Sequence, residues 1–168
     1  TWAVIGGARG YYRAPETPFS TADTYLYAGV RGSFGKHEVV LAGQGEDFII
    51  DADSLRFVYG GYAQWNYAVD NKSRLSLSFQ GNKIVYPDLT HRNATRYVTS
   101  ASYLRAIPGK LEPVIYAGVY GGVEQENHGT RPQFGHDLYG GRLGGSIELM
   151  PKVRGFASVS MEQRDYHG

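Results

Sequence analysis

The side chains best suited to chemistry are thinly spread in this chain of 168 residues. The five histidines fall in different turns and loops, and no two have the close spacing of a zinc-binding pair; they are His37, His91, His128, His136 and His167. The chain has no cysteine, so no thiolate is available to bind a metal. We interpret His136 and Asp137 as a polar pair at the start of a strand, and the sequence predicts neither a metal site nor a catalytic residue.

Serine and acidic residues raise two further possibilities. A serine hydrolase would place Ser beside His, but the chain contains no Gly-x-Ser-x-Gly motif, so we interpret the serines as small polar residues. The stretch GEDFIIDAD (45–53) groups carboxylates at a spacing that calcium could use. The repeated Asp pattern of a calcium loop is absent, so we expect a solvated acidic loop.

Composition excludes several classes of function. The formal net charge is +1 and the basic residues are scattered, which predicts no nucleic-acid partner. No apolar run approaches the length of a transmembrane helix, and Thr1 opens directly in a strand-like run rather than in a signal peptide. No cofactor is expected.

The elements that must position these side chains are strands. Apolar and polar residues alternate with period two along most of the chain, and no segment has a helical period. The stretches are longer than the usual soluble strand of about 5–6 residues. The predicted strands are 2–13, 23–35, 37–46, 54–70, 73–86, 95–107, 111–125, 136–150 and 152–166.

The predicted connections alternate in length. Short turns are expected at 35–36, 70–72, 108–110 and 151–152, and long loops at 14–22, 47–53, 87–94 and 126–135. Short turns at one end and long loops at the other are typical of an up-and-down antiparallel barrel in a bacterial outer membrane. A soluble β-sandwich or a lipocalin-like barrel is the alternative fold.

In the membrane fold the polar side chains face the lumen, because an arginine facing lipid at mid-bilayer costs about 2–4 kcal/mol. We expect these residues to pair across strands or to line a conduit; they are Arg31, Arg56, Gln64, Arg74, Gln80, Glu112, Arg142, Glu148, Arg154 and Glu162. Aromatic residues near strand ends are expected to form interfacial girdles; they are Trp2, Tyr11, Tyr25, Trp65, Tyr67, Tyr86, Tyr97 and Tyr139.

Nine strands is an odd number, whereas bacterial single-chain barrels normally have an even number. We therefore expect residues 1–168 to be one segment of an incomplete barrel, with its closing strands outside this chain. A count that is wrong by one would instead give a barrel of about eight or ten strands.

Two stretches resemble a known family. YVTSASYLRAIPGKLEPVIYAGVYGGVEQEN (97–127) and FGHDLYGGRLGGSIELMPKVRGFASVSMEQRDYHG (134–168) are similar to the C-terminal barrel of surface lipoprotein assembly modifiers. These Gram-negative proteins carry periplasmic tetratricopeptide repeats ahead of the barrel. The resemblance implies an outer-membrane protein that assists translocation or surface display of lipoproteins, with outer-membrane lipid and lipoprotein substrates as partners. It also implies a repeat domain that this chain lacks.

The expected function is therefore protein transport without enzymatic activity. Two alternatives stay open at this point. One is a passive pore or an exopolysaccharide-export barrel. The other is a small lipid-modifying enzyme of the outer membrane.

Overall fold

The structure, a computed structural model, describes residues 1–13, 20–51, 53–127, 135–150 and 153–167. In these ranges there is no α-helix, and one 3₁₀ turn spans Thr90–Arg92. No helical segment there has the length and apolar character needed to cross a bilayer. The strands are β1 (Trp2–Arg13), β2 (Thr21–Phe34), β3 (His37–Ile50), β4 (Asp53–Ala68), β5 (Ser73–Val85), β6 (Ala94–Ala106), β7 (Val114–Glu126), β8 (His136–Met150) and β9 (Val153–Tyr166).

The strands form one sheet of nine strands in the order β1-β2-β3-β4-β5-β6-β7-β8-β9. Each strand is antiparallel to the next one in the chain, so every step is a hairpin. Among the described residues β1 and β9 do not pair with each other, and the sheet is open at both edges. The predicted all-β fold with antiparallel strands is confirmed.

The third strand extends further than predicted, whereas the fourth begins one residue earlier than predicted and ends at Ala68 instead of residue 70. β3 continues to Ile50 and β4 begins at Asp53, so the long loop expected at 47–53 is wrong. Phe48 and Ile49 stay in the sheet because they pair with Asp23 and Ala22 of β2. An irregularity between Phe48 and Ile49 shifts the register against β4.

The seventh strand starts later than predicted, at Val114 instead of residue 111. Pro113 has no N–H and cannot donate to the ladder, which explains the late start. Its carbonyl still accepts a hydrogen bond from Ile107 N at 2.7 Å. Glu112 therefore lies in a connection of residues 107–113 and has a positive φ of 40°. The turn predicted at 108–110 is part of this longer connection.

Some predicted connections lie outside the described residues. These are most of the loops at 14–22 and 126–135, and the turn at 151–152. The loop predicted at 87–94 is present between β5 and β6 and contains the 3₁₀ turn.

The two faces of the sheet differ in burial. We call the face that carries Val40, Ile84, Ala94 and Leu138 the polar face, because charged residues surround these four buried apolar side chains. On the opposite face, the apolar face, large side chains are open: Val119 is 64% exposed and Leu143 is 58% exposed. Burial is thus the reverse of a soluble sheet, in which the apolar face is the covered one.

Glycine contacts indicate which way the sheet curves. On the polar face, a Cβ added to Gly60 would collide with the carbonyl oxygen of Gly81 on the next strand. A Cβ on Gly122, on the same face, would collide with the carbonyl oxygen of Tyr97. On the apolar face a Cβ on Gly43 would meet its first neighbour at 3.8 Å. The closest backbone contacts lie on the polar face, which indicates that the sheet bends toward that face.

Candidate functional site: the polar face of the sheet

The register brings nearly all the predicted polar residues to one face. Glu112 is the exception, because it precedes β7. The others lie on the polar face of their strands; they are Arg31, Arg56, Gln64, Arg74, Gln80, Arg142, Glu148, Arg154 and Glu162. This agreement arises because side chains of a strand alternate between its two faces with a strict period of two. Once one residue of a strand is assigned to a face, the faces of all its other residues follow.

Two close ion pairs cross neighbouring strands on this face. Arg56 Nη2 lies 2.5 Å from Glu46 Oε1, and Arg96 Nη2 lies 2.5 Å from Glu124 Oε2. The Glu124 side chain is only 16% exposed. Pairing gives each carboxylate a charged donor, which a partly buried charge requires.

Amide side chains continue the network. Tyr25 Oη donates to Gln44 Oε1 at 3.1 Å, and Gln44 Nε2 donates to Asn82 Oδ1 at 3.0 Å. These three residues line a cleft of about 220 Å³ together with Gln80 and Arg96. The chain of hydrogen bonds links β2, β3 and β5 on the polar side and passes over β4.

A second amide chain lies closer to the short turns. Gln64 Nε2 donates to Asn66 Oδ1 at 2.9 Å, and Asn66 Nδ2 donates to Glu38 Oε1 at 2.9 Å. Glu38 also lies 4.0 Å from Arg31 Nε. The predicted residues Gln64 and Arg31 therefore meet through two residues that the sequence did not single out.

Near β9 the charges are again paired. Glu162 accepts hydrogen bonds from Tyr120 Oη at 2.8 Å and from Arg164 Nε at 2.7 Å. Arg154 lies 3.7 Å from Glu148 and 3.8 Å from Glu112. Glu112 thus reaches the predicted group from its connection, although its side chain is 70% exposed.

Serines occupy the middle of the polar face. Ser78 Oγ and Ser100 Oγ are 2.7 Å apart. Each hydroxyl has the other as its hydrogen-bond partner, and no hydrogen bond joins either of them to a described histidine, the usual base beside a serine nucleophile. The pair borders a cavity of about 390 Å³ that also contains Arg142.

The histidines are not brought together. His37 stacks against Trp65 on the apolar face, with ring centres 5.8 Å apart. His136 is buried on the polar face beside Tyr166. His91 lies in the 3₁₀ turn, His128 lies outside the described residues, and His167 Nε2 lies 3.4 Å from Asp137 Oδ2. Within the described ranges no cluster of three or more His, Asp or Glu could hold a metal ion.

The acidic stretch at 45–53 is also divided. Glu46 lies on the polar face, whereas Asp47 lies on the apolar face and accepts a hydrogen bond from Ser54 Oγ at 2.6 Å. Asp51 Oδ1 accepts one from Ser20 N at 2.8 Å. The carboxylates therefore do not converge as calcium ligands would.

Most of the predicted girdle aromatics lie on the apolar face; they are Trp2, Trp65, Tyr67, Tyr97 and Tyr139. Trp65 and Tyr67 stack with ring centres 6.0 Å apart. Tyr11 and Tyr25 lie on the polar face, so neither can belong to a ring on the apolar side. Tyr86 follows β5 in the connection to β6.

Several residues of the site were not among the predicted lumen residues; they are Glu38, Gln44, Glu46, Asn82, Arg96 and Arg164. For Arg96 the signal was present, since it lies between Thr95 and Tyr97 in the alternating pattern, whereas Arg164 lies between Gln163 and Asp165 and shows no such alternation. Glu46 was hidden by its place in the acidic stretch, which suggested a loop.

Comparison of the chain with protein-family models, with curated proteins and with solved structures gave no match in any of the three searches.

Proposed function

We propose that the sheet forms part of the wall of an outer-membrane up-and-down β-barrel. In this arrangement the apolar face contacts lipid and the polar face lines the lumen. One observation carries the proposal: the apolar face bears no charged side chain in the middle of any described strand. Its charged residues lie near strand ends; they are Asp47, Lys83, Arg105, Asp137 and Asp165.

Exposure of the apolar face supports this arrangement. Leucine, valine and phenylalanine side chains from most strands stand open on it, among them Leu41, Phe79 and Val119. Soluble proteins rarely expose a continuous apolar surface that spans a whole sheet. In a bilayer, lipid chains would contact this surface, so no further protein layer would be needed to bury it.

Strand length supports it too. The shortest strand has 12 residues and the longest has 16, whereas a tilted transmembrane strand needs about 9–11. On β4 the aromatic residues Tyr59 and Tyr67 mark two levels on the apolar face. Their separation along the strand is about 26 Å, from a rise of about 3.3 Å per residue. An apolar band about 25 Å tall is usual for such barrels.

The two edge strands determine how many further strands a closed barrel would need. Free backbone groups on β1 and β9 are costly in lipid, so both edges require partner strands. β1 and β9 run in the same direction, because every step between them is antiparallel. Antiparallel closure therefore takes an odd number of additional strands.

Tryptophan fluorescence tests the orientation. The chain has two tryptophans, Trp2 and Trp65, and both lie on the apolar face. In liposomes that contain brominated lipids, we expect strong quenching of their emission, with little quenching by aqueous acrylamide. Trp65→Phe and Trp2→Phe variants assign the signal to each residue. Quenching by acrylamide alone would mean that this face contacts water, which contradicts the proposal.

For the biological role we propose that the barrel assists translocation or surface display of lipoproteins and has no enzymatic activity. The resemblance of residues 97–168 to surface lipoprotein assembly modifiers supports this role, together with a polar face that could accommodate a passing chain. Deleting the gene should lower protease-accessible lipoprotein on intact cells and leave the total lipoprotein amount unchanged. Re-expression should restore display. Unchanged surface exposure after deletion would contradict this role.

A further inference from the structure

Arg142 differs from most of the arginines of the polar face. Arg56, Arg96 and Arg164 each lie 2.5–2.7 Å from a carboxylate oxygen. In the part of the chain that the structure describes, Arg142 makes no ion pair. Its guanidinium carbon lies over the ring of Tyr116, 5.5 Å from the ring centre. The ring orients the guanidinium but leaves its positive charge without a counter-charge.

Hydroxyl and amide groups surround the cavity next to Arg142. The cavity has a volume of about 390 Å³. Its polar side chains come from β5, β6, β7 and β9; they are Ser78, Gln80, Ser100, Ser102, Tyr120 and Ser160. Gly118 stands between Ser102 and Arg142 in the register and carries no side chain to fill the space. The result is an open polar basin with the guanidinium of Arg142 at its side.

The carboxylate of Glu162, on the adjacent register pair, already has other partners. Glu162 pairs in register with Gly140, one position along the face from the Arg142–Ser160 pair. Its oxygens already accept hydrogen bonds from Tyr120 and Arg164. The basin therefore combines a net positive charge with several hydroxyl donors. A guanidinium with neighbouring hydroxyls is the chemistry that recognises a tetrahedral oxyanion.

We propose that this basin binds a phosphate group, supplied as free phosphate or as part of a lipid headgroup. The site depends only on the geometry of the polar face. Its access from a barrel lumen rests on the proposed function. Phosphate binding is therefore measured separately from membrane insertion and from lipoprotein display. The phosphate site can then be refuted without refuting the proposed function, and the proposed function without the phosphate site.

The test uses the full-length protein refolded in micelles of an uncharged, phosphate-free detergent. Inorganic phosphate and, separately, dihexanoylphosphatidylglycerol are titrated by calorimetry. We expect saturable binding that Arg142→Gln weakens about tenfold or more, since a hydrogen bond to a charged group contributes about 1.5–3 kcal/mol. Arg74→Gln is the matched control, because Arg74 lies on the same face, outside the cavity, and makes no ion pair with any residue that the structure describes. It should bind like the wild type.

Each possible result of the titrations either supports or overturns the proposed phosphate site. Binding of phosphate alone or of the headgroup alone supports the site and identifies the source. No binding of either probe overturns it, and so does equal loss in Arg142→Gln and Arg74→Gln, which would indicate unspecific attraction. Heat-modifiable gel mobility reports folding of each variant. If Arg142→Gln does not fold, Ser102→Val with Ser160→Val replaces it, and unchanged affinity in that variant would refute the site.

Discussion

Arg96 and Glu124 are 28 residues apart in the chain, yet Arg96 Nε and Nη2 both contact Glu124 Oε2, at 2.7 Å and 2.5 Å. They face each other directly across the β6–β7 hairpin. The arginine side chain is 36% exposed and the glutamate side chain is 16% exposed. The pair therefore lies between a surface ion pair and a buried one, and its removal should have a measurable cost.

Breaking this pair should destabilise the protein. We expect Arg96→Gln and Glu124→Gln each to lower the free energy of unfolding by about 1–3 kcal/mol, because each leaves a partly buried charge unpaired. The double variant should lose less than the sum of the two. Urea unfolding in bilayers measures all three. Arg74→Gln, which breaks no ion pair among the described residues, should stay within about 0.5 kcal/mol of wild type. Additive single effects would contradict direct coupling.

Arginine substitutions distinguish the two faces. Val159 on the apolar face is 67% exposed, and its neighbour Ser158 on the polar face is also exposed. If lipid covers the apolar face, Val159→Arg should cost about 2–4 kcal/mol and Ser158→Arg much less. Both faces in water would make the two substitutions similarly mild. Unfolding of the protein from liposomes gives both values.

The curvature of the sheet predicts unequal effects of adding a methyl group. Gly60→Ala places its Cβ against the backbone of Gly81 and 2.8 Å from the Asn82 Cα, so we expect a loss of about 1–3 kcal/mol. Gly43→Ala is the control, since its Cβ would meet its first neighbour at 3.8 Å. It should be neutral or slightly stabilising. Thermal unfolding of both variants tests this, and equal effects would mean that the polar side is not the crowded one.

The turn between β4 and β5 predicts a pH dependence. Asp70 accepts hydrogen bonds from Lys72 N at 2.7 Å and from Ser73 Oγ at 3.3 Å, and the Lys72 bond is the main cause that lowers the pKa of Asp70. A folded pKa below the unfolded one contributes stability above the unfolded pKa, and this contribution is lost as pH falls through the folded pKa.

The measurement compares wild type with Asp70→Asn. We expect the wild type to be the more stable at neutral pH, and the difference to shrink below about pH 4, the ordinary range of aspartate. Unfolding midpoints across a pH series give this difference directly. A gap that stayed constant down to pH 2 would show that ionised Asp70 does not support the turn.

The strands, and the face on which each side chain lies, could be predicted from the sequence because alternation with a period of two is visible within a few neighbouring residues. Arg56, Gln64, Arg142 and Glu148 were placed on the correct strands with one shared facing by alternation alone. Ends were harder to predict. Phe48 and Ile49 are kept in β3 by their partners on β2, and nothing in their own types distinguishes a strand end from a loop.

The contacts of the site could not be predicted in the same way. Which arginine meets which glutamate depends on register across hairpins, and register follows from turn geometry that a sequence does not specify. Arg96 pairs with Glu124, whereas Arg142 lies over the ring of Tyr116 and forms no ion pair with any described carboxylate. The difference appears only when the strands are paired.

The uninterrupted neighbour-to-neighbour order of the strands also has a consequence for assembly. Each strand from β2 to β9 pairs with the strand just before it in the chain, so the pairing of the described strands needs no partner from a distant part of the sequence. Closing a short connection costs little chain entropy, so the sheet can grow by zipping one hairpin onto the last. When one terminus is pulled, the hairpins should detach one after another from that end of the sheet. A single-molecule pulling trace should then show extraction in discrete steps, each the length of one hairpin.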